Sequence, residues 1–295
     1  MGFSQNLKLQ RLRHRLSQKE LGEFFGLGQT TIANYEKGNR VPNAELLKGF
    51  AEYFHTTVDL LLEDSDMERA GGDIVGKYMN LELLQKNFEK YCLDETEEAA
   101  IDLIMSIQYD DKLLFEVYEN VLTKTMYNVG DLWEQGKISL VKEHYISAIV
   151  SRVLSGLAIR YQTNRRVDTN FHHVAVCMTL SCEHHTMGIR MVSEFLKKLG
   201  FKSYYLGSNV PTESLIKMLR EVKADLLAIS LTMPEHLDAL ANFVTVLRSY
   251  KSLDHIRILV GGQAFNGDHK MYSDLGVDGI STNYLTTEQA IGTMF

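Results

Sequence analysis

The chain has 295 residues and a formal net charge of -7, with 45% apolar and 23% charged residues. That composition is ordinary for a water-soluble globular protein and excludes fibrous, collagenous and wholly disordered chains, while the length predicts two or three domains. No apolar run approaches the roughly 20 residues that cross a bilayer, so no membrane partner is expected. The start, Met1-Gly2-Phe3-Ser4-Gln5-Asn6, has no signal core. Cys92, Cys177 and Cys182 are odd in number and lie at no metal-binding spacing, which points to a reduced, cytoplasmic setting.

Residues 1–65 read as a small all-α domain with Leu7, Leu12, Leu16, Leu21, Phe24, Phe25, Ile32, Leu46, Leu47, Phe50, Phe54 and Leu60 to Leu62 as its core. Residues 1–60 carry eight basic and six acidic side chains, a net +2 that leaves -9 for the rest, so attraction to a polyanion has to come from this segment. Ser17 is placed to cap a helix that begins at Gln18. Phe25-Gly26-Leu27-Gly28 reads as a tight turn, and Gln29 to Lys37 as a second helix stopped by Gly38. Two helices about a short glycine turn make a helix-turn-helix, whose second helix enters the major groove of operator DNA. Gln29, Thr30 and Asn34 are then the base-reading side chains, and Gln18, Lys37 and Arg40 suit phosphates. Through Leu16-Ser17-Gln18-x-x-Leu21, Ile32, Tyr35-Glu36-x-Gly38 and Pro42 the stretch resembles the Cro/repressor (XRE-type) helix-turn-helix family. With a net charge of only +2, gripping two half-sites calls for a homo-oligomer, a dimer or more.

Residues 66–76, polar and containing Gly71-Gly72, read as a linker. Residues 77–165 then repeat apolar side chains at spacings of three and four, the mark of amphipathic helices. Leu84 and Phe88 lie in a first helix, Ile101 and Ile104 in a second, Leu113 to Leu132 in a third, and Val141 to Leu157 in a fourth. Short connections predict an antiparallel four-helix bundle.

Residues 170–295 change texture. Val174 to Leu180, Tyr204 to Leu206, Leu226 to Leu231, Ile256 to Val260 and Gly279 to Ser281 read as strands. Ile189 to Leu199, Glu213 to Val222 and Glu235 to Tyr250 read as the helices between them. That alternation predicts an α/β domain with a parallel sheet covered on both faces. Glu183-His184-His185-Thr186-Met187-Gly188 follows the first strand, at the end where such sheets bind ligands. A histidine there can ligate a metal while a carboxylate two residues earlier holds its other ring nitrogen. Glu183, His185 and Gly188 fill the Asp/Glu-x-His-x-x-Gly signature, and the domain resembles the Rossmann-like (flavodoxin-like) cobalamin-binding domain. The resemblance implies that His185 is the axial cobalt ligand. It also implies that Ser230 and Thr232 of Ser230-Leu231-Thr232, with Gly261-Gly262, line the slot for the displaced base.

Trp133, the chain's only tryptophan, ends the third bundle helix, and Glu143-His144 opens the fourth. The pattern resembles the cap of CarH-like cobalamin photoreceptor regulators, in which the tryptophan and the Glu-His pair hold the adenosyl group. The resemblance implies an adenosylcobalamin-dependent repressor, not an enzyme, that responds to light by cobalt–carbon photolysis and a change of oligomeric state, tetramer or dimer. Light-sensing members carry a histidine directly after the tryptophan; this chain has Glu134. Glu134 motivates an alternative, a regulator that senses cobalamin or redox state without photochemistry. A third reading is a corrinoid carrier for methyl transfer, since bundle and cobalamin domain are shared with such carriers. There is no nucleophile elbow, phosphate loop or metal-binding cysteine set.

Overall fold

The computed structural model describes residues 2–14, 16–54, 56–62, 80–107, 109–164, 172–266 and 275–295; the expected linker at 66–76 lies outside them. The chain divides into two compact units, Met1–Leu157 and Ala158–Phe295.

Among the described residues the N-terminal head has five helices: α1 (Gly2–Arg13), α2 (Gln18–Phe24), α3 (Gln29–Glu36), α4 (Ala44–Tyr53) and α5 (Val58–Leu62). Ser17 caps α2 in a reciprocal box, its Oγ accepting from the Glu20 amide at 3.1 Å and its own amide donating to Glu20 Oε2 at 2.6 Å. Gly38, at φ +75°, closes α3 in the left-handed conformation that glycine adopts freely, with the Asn39 amide reaching back to the Asn34 carbonyl at 2.9 Å. Leu7, Leu21, Ile32, Phe50, Phe54 and Leu61 make the core. Leu12 and Phe24 do not join it; they are 52% and 65% exposed, because their spacing satisfies a helical period but faces outward. Phe24 stacks instead on Tyr53, with 4.2 Å between ring centres. Arg11 binds Glu36 through two nitrogens, Nε to Oε1 at 2.5 Å and Nη2 to Oε2 at 3.0 Å, and gives Nη1 to the Leu16 carbonyl at 2.7 Å.

The expected four-helix bundle follows: α6 (Leu81–Leu93), α7 (Glu97–Met105), a long third helix, and α10 (Leu140–Asn164). The third helix runs as α8 (Asp111–Val117), a π-helical stretch at Tyr118–Thr123, and α9 (Lys124–Glu134). The π stretch buries Tyr118, Val121 and Leu122 and reads as ordinary helix in the sequence, since one widened turn leaves no mark in the apolar spacing; the Thr123 hydroxyl donates to the Tyr118 carbonyl at 2.9 Å. Leu84, Phe88, Ile104, Val121, Val129 and Val150 are fully buried. Val141 is 77% exposed, against its expected place in the bundle core.

Among the described residues the α/β domain holds a five-stranded, all-parallel sheet of β1 (His173–Met178), β2 (Phe201–Gly207), β3 (Leu226–Ser230), β4 (Arg257–Gly261) and β5 (Gly279–Ser281), in the order β2-β1-β3-β4-β5. The helices are α11 (Met187–Lys198), α12 (Thr212–Glu221), α13 (Leu237–Arg248) and α14 (Tyr284–Met294); the last was not read from the sequence. Alternate strand residues serve opposite faces. Val176, Leu227 and Val260 pack with Leu215 and Leu240 on one side. Cys177, Ala228 and Leu259 pack with Ile189 and Ile291 on the other. The strand order reverses between β1 and β3, so the loops leaving their carboxyl ends diverge and open the crevice in which such sheets bind ligands.

Candidate cofactor site and nucleic-acid interface

Glu183 leaves the end of β1 and is fully buried. Its main chain is held at both groups, the amide donating to the Leu180 carbonyl at 2.9 Å and the carbonyl accepting from Thr179 Oγ1 at 2.8 Å. Its carboxylate spans the crevice. Oε1 accepts from the His185 amide at 3.0 Å and from His185 Nδ1 at 2.5 Å. Oε2 accepts from the amides of Thr232 (2.9 Å) and Met233 (3.1 Å), just past β3, and from His236 Nδ1 at 3.2 Å. Burial pushes the Glu183 pKa up, but the amides of His185 and Thr232, the His185 ring and the Met233 amide outweigh it and hold the carboxyl at about 2.

The His185 side chain is 58% exposed. With Nδ1 donating to an ionised carboxylate, the ring is fixed as the tautomer whose Nε2 carries the free lone pair. Ser230, at the end of β3, is 6% exposed. Its Oγ stands 3.4 Å from where a Cβ on Gly188 would lie and 2.9 Å from one on Gly262. A Cβ on Gly261 would stand 2.1 Å from the Ser281 carbonyl, and one on Gly262 2.3 Å from that of Leu231. Gly188, Ser230 and Gly262 therefore converge beside His185 without bulk. The arrangement fits a corrin: one imidazole nitrogen fixed by a buried anion, the other open to a metal, and small residues alongside. Thr232 is partly buried, and its amide is spent on Glu183.

In the bundle, α9 ends in a left-handed Gly136, with the Lys137 amide bonded to the Leu132 carbonyl at 2.8 Å. Ser139 Oγ then accepts the Lys142 amide at 3.2 Å at the start of α10. Five residues separate α9 from α10, so Trp133 and the Glu143–His144 pair share one end of the hairpin. Trp133 is 43% exposed, a large apolar surface left outside the core. Glu143 is held between His144 Nδ1 (2.5 Å) and Ser147 Oγ (2.7 Å).

In the head, Gln29 and Thr30 at the start of α3 are exposed, as are Lys37 and Arg40 after its end; Asn34 is half-buried. Gln18, the first residue of α2, gives Nε2 to Glu36 Oε2 at 2.8 Å. Neither His236 nor the Arg11–Glu36 pair was singled out from the sequence. His236 lies 53 residues from Glu183 on no repeating pattern, and only the fold brings the two together.

The Glu183 anchor sets a pH dependence. A carboxyl lowered from 4.5 to about 2 stabilises the fold above the unfolded value, and that contribution is lost as pH falls through about 2. At about 1.4 kcal/mol per pKa unit it is worth roughly 3 kcal/mol. We expect the stability gap between wild type and Glu183→Gln, read by urea denaturation, to shrink by about that amount from pH 6 to pH 2. A gap constant with pH would sink this assignment.

Residues 174–288 match the family described as B12 binding domain, residues 84–157 a second family of the same description, and residues 7–61 the Helix-turn-helix family. The chain is therefore a cobalamin-binding transcription regulator with a helix-turn-helix head. More narrowly, this set of domains resembles that of the CarH-like cobalamin-binding helix-turn-helix regulators. The HTH-type transcriptional repressor CarH of Myxococcus xanthus is 25% identical over 162 residues, 55% of this chain and 52% of that protein. Dimethylamine corrinoid protein 2 of Methanosarcina acetivorans is 26% identical over 147 residues, 50% of this chain and 67% of that protein. The structure of the Methanosarcina barkeri monomethylamine corrinoid protein shares the fold, with a TM-score of 0.58 at 18% identity over 72% of this chain and 97% of that one. Among the described residues no helix is long and apolar enough to cross a membrane.

Proposed function

We propose that the chain is an adenosylcobalamin-dependent repressor whose grip on operator DNA is released by light through a change of oligomeric state. One observation carries the reading: the single tryptophan is 43% exposed at the end of α9, beside Glu143–His144, in a chain that also carries a DNA-binding head. A tryptophan meant for the bundle core would be covered; one meant for a ligand is left open. When bound, adenosylcobalamin supplies a light-labile cobalt–carbon bond. His185 would hold the metal from one face through Nε2, with Glu183 fixing its tautomer. Gly188, Ser230, Thr232, Gly261 and Gly262 make room for the displaced base. Trp133, Glu143 and His144 are assigned to the adenosyl side. Gln29, Thr30 and Asn34 would read bases, and Gln18, Lys37 and Arg40 would contact phosphates.

Cofactor drives assembly only to the extent that it binds the assembled form better. The expected result is a larger particle with adenosylcobalamin in the dark, a tetramer or dimer, returning to the cofactor-free mass after green light, as read by light scattering behind size-exclusion chromatography. Equal masses in all three states would reject cofactor-driven assembly. Glu134, following Trp133, supports a second reading: a regulator that senses cobalamin level or redox state without photochemistry. Operator binding that needs the cofactor but ignores light would select it. The corrinoid-protein relatives support a methyl carrier; the helix-turn-helix match over residues 7–61 argues against it.

A further inference from the structure

The end of α3 joins two asparagines twice. Gly38 and Asn39 close the helix in a Schellman turn, the Gly38 amide donating to the Tyr35 carbonyl at 3.1 Å and the Asn39 amide to the Asn34 carbonyl at 2.9 Å. That turn, which the left-handed Gly38 permits, folds residue 39 back beside residue 34. The two places commonly hold apolar side chains in contact. Here both are asparagine, and Asn39 Nδ2 donates to Asn34 Oδ1 at 3.4 Å. Asn39 is exposed and Asn34 half-buried. The bond is long and lies at the surface, so it adds little stability; what it decides is which way the Asn34 amide faces. Asn34 Nδ2 has no partner among the described residues.

We infer that Asn39 is a positioning residue for base recognition: by holding Oδ1 of Asn34 it makes the reading helix present an NH2 group, and so select guanine over adenine at the base pair that Asn34 meets. The inference rests on the proposed base-reading role of Asn34. An unconstrained asparagine suits adenine, because its amide accepts from N6 and donates to N7 together. With a lone pair of Oδ1 taken and the Asn39 side chain beside it, the accepting half of that match is withdrawn from the groove. What remains are two N–H donors on one nitrogen, and the major-groove edge of guanine offers two acceptors, N7 and O6. Both asparagines are uncharged, so this preference is separate from the phosphate contacts assigned to Gln18, Lys37 and Arg40.

The test is selection from a pool of randomised duplex DNA by the full chain, loaded with adenosylcobalamin and kept in the dark, followed by sequencing. Asn34→Ala locates the position: a base pair in each half-site should lose its preference. There wild type is expected to select guanine, and Asn39→Ala to lower the guanine-to-adenine ratio about fivefold, the low end of what a two-point base contact is worth. Asn39→Asp pushes further. A carboxylate only accepts, so the Asn34 amide turns over to give it Nδ2 and shows the groove Oδ1; the ratio should fall below that of Asn39→Ala. Each ratio is read within one pool, so a uniform loss of affinity cancels. The slope of log Kd against log salt should match between wild type and Asn39→Ala, because no phosphate contact is removed. Urea midpoints should match too, since the main-chain amide that closes the helix is present in both. Adenine at that position in wild type, a ratio unmoved by either substitution of Asn39, or a loss of affinity equal across sequences with a shallower salt slope overturns the inference. Failure of the underlying reading looks different. Asn34→Ala would then select the same sequences as wild type, or wild type would select none, and both claims fall.

Discussion

Replacement of His185 by alanine should leave the chain folded and lower its affinity for cobalamin by at least about 100-fold, the upper end of what losing a metal ligand's partner alone costs. The fold is expected to survive because the side chain is 58% exposed and packs in no core. Glu183 keeps four of its five donors, three of them amides on both sides of the crevice, so the loop stays pinned. What goes is the open Nε2. Absorbance titration with hydroxocobalamin measures the affinity, and the nitrogen splitting of cobalt(II)-loaded protein reports the bond. Retention of both by His185→Ala would remove the ligation claim.

Gly262→Ala should cost about 3 to 5 kcal/mol of stability, combining the strain of a glycine-only backbone with overpacking. Gly262 sits at φ +102° and ψ 179°, a region closed to residues with a side chain. Its Cβ would press to 2.3 Å from the Leu231 carbonyl, a backbone atom just past β3 that is held by accepting the Ala264 amide at 3.2 Å. Gly188→Ala makes the contrast: there a Cβ meets only Ser230 Oγ, at 3.4 Å, an ordinary contact. It should keep wild-type stability within about 1 kcal/mol, since alanine suits a helix, and lose cobalamin affinity by narrowing the crevice. Urea midpoints and absorbance titrations of the two variants separate the effects. A Gly262→Ala protein as stable as wild type would mean that the turn rearranges.

The α/β domain was legible because a parallel sheet covered on both faces demands continuous β-branched and aliphatic runs, and Val174 to Leu180 and Leu226 to Leu231 are such runs. The edge strand β5 could be read from three residues only because the alternation before it had set the expectation. Ser17 and Gly38 were legible because caps are local chemistry. Leu12, Phe24 and Val141 misled for one reason: helical period says that residues share a face, not which face is covered. Trp133 made the same point to advantage, since only the fold shows it uncovered. His236 and the Arg11–Glu36 pair stayed hidden because their partners lie far along the chain, where no spacing rule reaches.

That pair has a bearing on how DNA binding can be controlled. Glu36 closes the reading helix, and Arg11 and Gln18 fasten it to the two helices before it, with the Arg11 and Glu36 side chains only 8% and 3% exposed. Stranding one member of a buried ion pair costs about 3 to 5 kcal/mol. Under the proposed function, bending the reader out of shape would therefore be the expensive route to release from DNA. Changing how many intact readers are gathered on one duplex would leave the clasp shut.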